Sequence, residues 1–159
     1  MSCHFDDRGI SIAVTHVLSI GITTVLLAGL LLGATTMLGT QQDQNTEIAL
    51  ETVGERIAGE IADYDRMVQD GDEDSVRVSH PSQVAGTGYT VELRVDCSDG
   101  PFIPTGVNCV VLTATDDNIA VFVPVATDTL VDHGESVGGG SFVITTDDSG
   151  FITVEAFDA

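Results

Sequence analysis

The chain has little positive charge and no lysine. It carries 25 acidic residues against five basic ones, all of them arginine, and has a formal net charge of -20 over 159 residues. Such a chain repels nucleic acid and anionic lipid surfaces, so we exclude both as partners that bind by charge. The acids are scattered among valine, isoleucine and threonine, and 43% of the residues are hydrophobic. This composition argues against a disordered acidic tail.

The sequence also lacks the motifs of the common enzyme classes, with no nucleophile elbow, phosphate loop or metal-protease helix. Acidic clusters at residues 70–74 and 146–150 contain oxygens that attract calcium, but neither has the spacing of a calcium-binding helix–loop–helix. We interpret both as solvated turns. His80 and His133 lack the ligand spacing of a zinc site. We therefore predict no enzyme activity, no catalytic residue, no metal and no cofactor.

Residues 10–39 contain no acid, lysine or arginine. About 20 helical residues cross the hydrocarbon core of a bilayer, so this run is long enough even when tilted. A cleaved secretory signal has a shorter apolar core, of roughly 7–15 residues. We therefore predict a transmembrane helix over residues 10–39.

The distribution of arginine predicts the orientation of this helix. Arg8 precedes the apolar run, and the next basic residue is Arg56. Cytoplasmic flanks are enriched in basic residues, so residues 1–9 are predicted to be cytoplasmic. The chain is then a single-pass protein of the cell membrane with an extracellular C-terminal domain.

Two patterns inside the apolar run predict packing against another helix. Hydroxyl residues recur every four positions, which places them on one slowly drifting face. Gly29 and Gly33 have the G-x-x-x-G spacing that lets two helix backbones approach closely. The alternative is that the hydroxyls bond to their own helix and that the glycines are simply common in membrane helices. The hydroxyl residues are Ser11, Thr15, Ser19 and Thr23.

Residues 40–71 continue as an amphipathic helix. Its apolar residues step by three or four positions and form a narrow stripe that we expect to hold a globular domain. Gly54 and Gly59 weaken this helix by about 1 kcal/mol each relative to alanine. Gly71 is predicted to end it, so one helix is expected from about residue 10 to residue 70. The stripe consists of Leu50, Val53, Ile57, Ile61, Tyr64 and Val68.

Residues 72–159 change to a period of two and to β-branched residues, which predicts an antiparallel sheet or a small sandwich. The whole chain is thus expected to have an α+β fold. Pro124 suggests an edge strand or a bulge, and alternation places Tyr89, Val91, Leu93 and Val95 on one face. The six predicted strands are "SVRVSH", "GYTVELRVD", "CVVLTATD", "IAVFVPVAT", "SFVITTD" and "FITVEAF".

Cys97 and Cys109 flank a loop rich in proline and glycine between two predicted strands. A disulfide here would close a loop of about a dozen residues and contribute roughly 3 kcal/mol. Such bonds persist outside the cytosol, in agreement with an extracellular domain. The alternative is two separate buried thiols. Cys3 precedes the membrane run and is expected to stay unpaired.

The start "DDRG|ISIAVTHVLSIG" resembles a prepilin-type leader, with Arg8 and Gly9 before the cut and Ile10 after it. Across nearly the whole chain, the sequence is similar to uncharacterised pilin-like membrane proteins of halophilic archaea. The resemblance rests on the "DRG-S" start, the helix "VGERIAGEIADYDRMV" and the strand "VAGTGYTVELR". A dispersed acidic surface without lysine also resembles salt-loving archaeal proteins. Bacterial pilins keep a glutamate at the fifth position after the cut, which here is Val14.

This resemblance implies a pilin-like structural subunit of a cell-surface filament or secretion assembly. Its implied partners are membrane lipid, self or other pilin-like subunits through the N-terminal helix, and a prepilin-type peptidase if the leader is cleaved. The alternative function is that of a monomeric, membrane-anchored extracellular β domain that binds an envelope or external ligand. The filament subunit is expected to self-associate through the helix, whereas the monomeric domain is not.

Overall fold

The computed structural model describes residues 7–71, 75–115, 119–132 and 136–157, without the side chains of residues 7–12, 35, 36 and 38. In these ranges, one long helix precedes a set of antiparallel strands, which confirms the predicted α+β fold. The elements are α1 (Asp7–Gln69), β1 (Val76–Ser79), β2 (Gln83–Val84), β3 (Thr87–Arg94), β4 (Cys109–Ala114), β5 (Ala120–Pro124), β6 (Val137–Gly138), β7 (Ser141–Thr146) and β8 (Ile152–Ala156).

Helix α1 runs without interruption through the apolar run and the amphipathic segment. It ends where predicted, because the Gly71 N–H donates to the Val68 carbonyl at 3.0 Å and Gly71 has a φ of 91°. Glycine adopts this left-handed conformation without the steric cost of a side chain. The long helix expected from the sequence is therefore present.

The strands form two antiparallel sheets. The smaller has the order β1-β7-β8, and the larger has the order β2-β3-β4-β5, with β6 also paired to β3. All six predicted strands are present. The added strands, β2 and β6, have two residues each, too few for an alternating pattern. Strand β5 lies at an edge, which confirms the predicted edge position of Pro124, since an edge strand tolerates a residue without an N–H.

The chain divides into two compact units, Met1–Gln41 and Gln42–Ala159. In the second unit, the stripe of α1 forms one hydrophobic core with residues of both sheets. Four stripe residues are fully buried, and Val53 and Val68 are half-buried against the same core. The fully buried four are Leu50, Ile57, Ile61 and Tyr64.

Of the four residues that alternation places on one face of β3, three are buried and the fourth is not. Tyr89, Val91 and Leu93 are buried, whereas Val95 is 50% exposed. Strand β3 ends at Arg94, and Asp96 has a φ of 63°. The chain therefore turns away from the sheet before the alternation can place Val95 in the core.

Candidate interaction surface

The N-terminal half of α1 presents an extensive apolar surface. Every described side chain between residues 13 and 34 is exposed, and Val25 and Leu32 are each 72% exposed. Burying one large apolar side chain is favourable by about 1.5–3 kcal/mol relative to water. A surface with this many such residues is typical of one that lipid or protein covers.

This surface also meets the length and composition of a membrane span. In the part of the chain that the structure describes, one candidate span is found, in the helix Ala13–Gln69. Its most apolar 18-residue window has a mean hydropathy of 2.2. The sequence prediction of a helix able to cross a bilayer is therefore supported by the secondary structure.

The hydroxyl face of this segment bonds to its own helix. The Ser19 hydroxyl donates to the Thr15 carbonyl at 2.9 Å, and the Thr23 hydroxyl donates to the Ser19 carbonyl at 2.7 Å. These bonds satisfy the donors of Ser19 and Thr23 without a partner helix. The side chain of Ser11 lies outside the described residues. Packing of this face against another helix stays a prediction.

Gly29 and Gly33 lie on one face of α1 and line a shallow apolar groove with neighbouring leucines. Apart from the adjoining backbone of α1 and the two neighbouring residues, a Cβ built on either glycine would have no atom within 4 Å. The missing side chains leave a depression along the helix in which another backbone could approach closely. The groove is thus suited to a helix rather than to a polar small molecule.

The three residues of the predicted leader lie in the first turns of α1, which begins at Asp7. The side chains of Arg8 and Ile10 are outside the described residues, and Gly9 has none. The structure places the proposed cleavage position on helical backbone. Cleavage itself stays a prediction.

Asp65 is a buried structural residue that the sequence analysis missed. It is only 3% exposed, and its two carboxylate oxygens accept the backbone N–H groups of Asp128 and Thr129, each at 3.0 Å. The Gln69 amide donates a further bond at 2.8 Å. Asp65 follows Ile61 of the stripe by four positions, and this helical spacing is the sequence signal that could have indicated its burial. Asp65 thus attaches α1 to the loop after β5.

The environment of Asp65 also fixes its protonation. Burial acts to raise the pKa of Asp65, but the bonds from the Thr129 side chain, the Asp128 and Thr129 backbone and Gln69 outweigh it. The pKa is therefore lowered from its ordinary value of 3.8. The carboxylate remains charged in all but strongly acidic solution and keeps the loop bound.

The surroundings of His80 indicate a structural role. Its ring is buried and stacks on Phe142 with centroids 5.7 Å apart, and its Nε2 lies 2.9 Å from Glu60 Oε2. The contact joins the segment after β1 to α1. His133 lies outside the described residues. Within the described residues, no cluster of three or more histidine, cysteine or acidic residues could hold a metal.

The acidic cluster at residues 146–150 forms a turn. One oxygen of Asp147 accepts the backbone N–H groups of Ser149 and Phe151, both at 2.8 Å. An aspartate that bonds to the backbone in this way stabilises a turn. In the other cluster, residues 72–74 lie outside the described residues.

The structure joins Cys97 and Cys109 in a disulfide, with Cα atoms 6.0 Å apart. Both cysteines are buried in a second, smaller hydrophobic cluster, against which Ile103 and Phe122 pack. The bond closes the loop between β3 and β4 at its base. This arrangement gives the loop a core of its own.

Comparison with known proteins assigns the chain to a group without assigning a role. A family model described as a family of unknown function, DUF7266, matches residues 5–156. No curated protein matches the chain, and no solved structure matches it. The match covers both the apolar helix and the β domain.

Proposed function

The chain belongs to the DUF7266 family of unknown function, and we propose that it is a membrane-anchored, pilin-like structural subunit of a cell-surface filament or secretion assembly in a halophilic archaeon. One observation carries this proposal. The same helix is apolar and exposed over residues 13–34 and is the core helix of a β domain over residues 50–64. A helix of this kind can anchor the domain in lipid and then bundle with copies of itself.

The topology of the proposal is an N-terminus in the cytoplasm and a β domain outside. Arg8 on the N-terminal side of the apolar run supports this orientation. The disulfide between Cys97 and Cys109 supports the same side for the β domain, because such bonds persist in oxidising compartments. Membrane lipid is the first partner of the chain in this scheme.

The leader resemblance adds a processing step. A prepilin-type peptidase would cut between Gly9 and Ile10 and leave the apolar segment as the new N-terminus. The halophilic assignment is supported by the net charge of -20 and the absence of lysine. Concentrated salt shortens the Debye length to about 3 Å at 1 M and screens the repulsion between such subunits.

A second candidate is a monomeric anchored domain that presents its β sheets to an external ligand. The observation that favours it is the satisfied hydroxyl face, since Ser19 and Thr23 already donate within their own helix. A helix with these donors satisfied can remain alone in lipid. The two candidates differ in whether the helix self-associates.

Crosslinking in membranes tests this difference. We expect the unaltered chain to give dimers and larger species, and the double variant Gly29→Leu, Gly33→Leu to reduce them at least fivefold because the groove is filled. The matched control is Gly21→Leu, Gly39→Leu, which adds the same side chains at two other open positions. Monomer bands alone from all three proteins would favour the monomeric domain.

Two measurements on native cells test the pathway. Mass spectrometry of the N-terminus is expected to show a mature chain that begins at Ile10. Shearing is expected to release the protein into the cell-surface fraction. An intact N-terminus together with retention in sheared membranes would contradict the filament role.

A further inference from the structure

We draw no further inference here: the strongest candidate, the fully exposed Phe102 ring on the disulfide-closed loop between β3 and β4, carries nothing because nothing among the residues that the structure describes shows what covers it.

Discussion

Gly54 of α1 lies directly against Val123 of β5. A Cβ built on Gly54 would be 2.7 Å from Val123 Cγ2 and 2.9 Å from Leu112 Cδ1. The absent side chain therefore allows the helix to approach the larger sheet at this point. Gly59, later in the same helix, is exposed, and apart from the adjoining helix backbone and the two neighbouring residues a Cβ there would meet no atom within 4 Å.

These two glycines predict opposite effects of one substitution. Gly54→Ala should lower the free energy of unfolding by about 1–3 kcal/mol, because the added methyl overpacks the core. Gly59→Ala should raise it by up to about 1 kcal/mol, because alanine favours the helix. Urea unfolding of the full-length chain in detergent, followed by tyrosine fluorescence, measures both. Stabilisation by Gly54→Ala would contradict the close packing.

The same pair shows the limit of prediction from sequence. Gly54 and Gly59 look alike as interior helix glycines, and only the neighbouring strands distinguish them. The stripe from Leu50 to Val68 was predictable because its period is local. The partners of Asp65 were not, since Asp128 and Thr129 lie more than sixty residues further along the chain.

The same limit applies to the β domain and to the exposed surface of the chain. The six longer strands of the β domain show an alternating pattern and were predicted, but their division into two sheets depends on pairing between distant residues, such as Val78 with Phe142. The groove at Gly29 and Gly33 was predictable from spacing. The complete exposure of the Phe102 side chain was not predictable, because its neighbours in the sequence are themselves apolar or proline.

Asp65→Asn is expected to weaken the attachment of α1 to the loop after β5. The amide retains one acceptor oxygen but loses the charge that strengthens the bonds from Asp128 and Thr129. The free energy of unfolding at pH 7 should fall by about 1–3 kcal/mol. Asp63→Asn is the matched control, because Asp63 is exposed and pairs with Arg66 in an exposed contact, and it should change stability by less than about 1 kcal/mol.

The pH dependence of the Asp65 effect has a definite sign. The pKa of Asp65 is lowered below 3.8 in the folded chain, so the folded state favours the charged carboxylate. Its contribution is present above the unfolded pKa and is lost as the pH falls through the folded pKa. The difference between the unaltered chain and Asp65→Asn should therefore shrink below about pH 4. A difference that grows in acid would contradict this assignment.

The buried stripe predicts a contrast between two isoleucines of α1. Ile57 is fully buried, and Ile48 is 60% exposed. Ile57→Ala should reduce the free energy of unfolding by about 2–5 kcal/mol through lost burial and a cavity. Ile48→Ala should change the stability of the β domain by less than about 0.5 kcal/mol. Similar losses, measured by the same urea unfolding, would show that α1 does not pack as described.

The disulfide predicts sensitivity to reductant. Its cysteines are 12 positions apart, and opening a loop of this length should lower the free energy of unfolding by about 3 kcal/mol. Unfolding with and without dithiothreitol measures the loss. The double variant Cys97→Ala, Cys109→Ala should be destabilised without reductant and unaffected by it. An unchanged midpoint for the unaltered chain under full reduction would be inconsistent with a stabilising bond.

The division of the chain at Gln42 determines how the β domain can be isolated. Thr46 is buried and its hydroxyl donates to the Gln42 carbonyl at 3.0 Å, so the domain begins well inside α1. An expression fragment that starts a few residues before Gln42 would retain every buried stripe residue while omitting the apolar run. A fragment that starts after the helix would lack Leu50, Ile57, Ile61 and Tyr64. Crystallisation trials on this fragment would therefore use a protein without the helical side of its hydrophobic core.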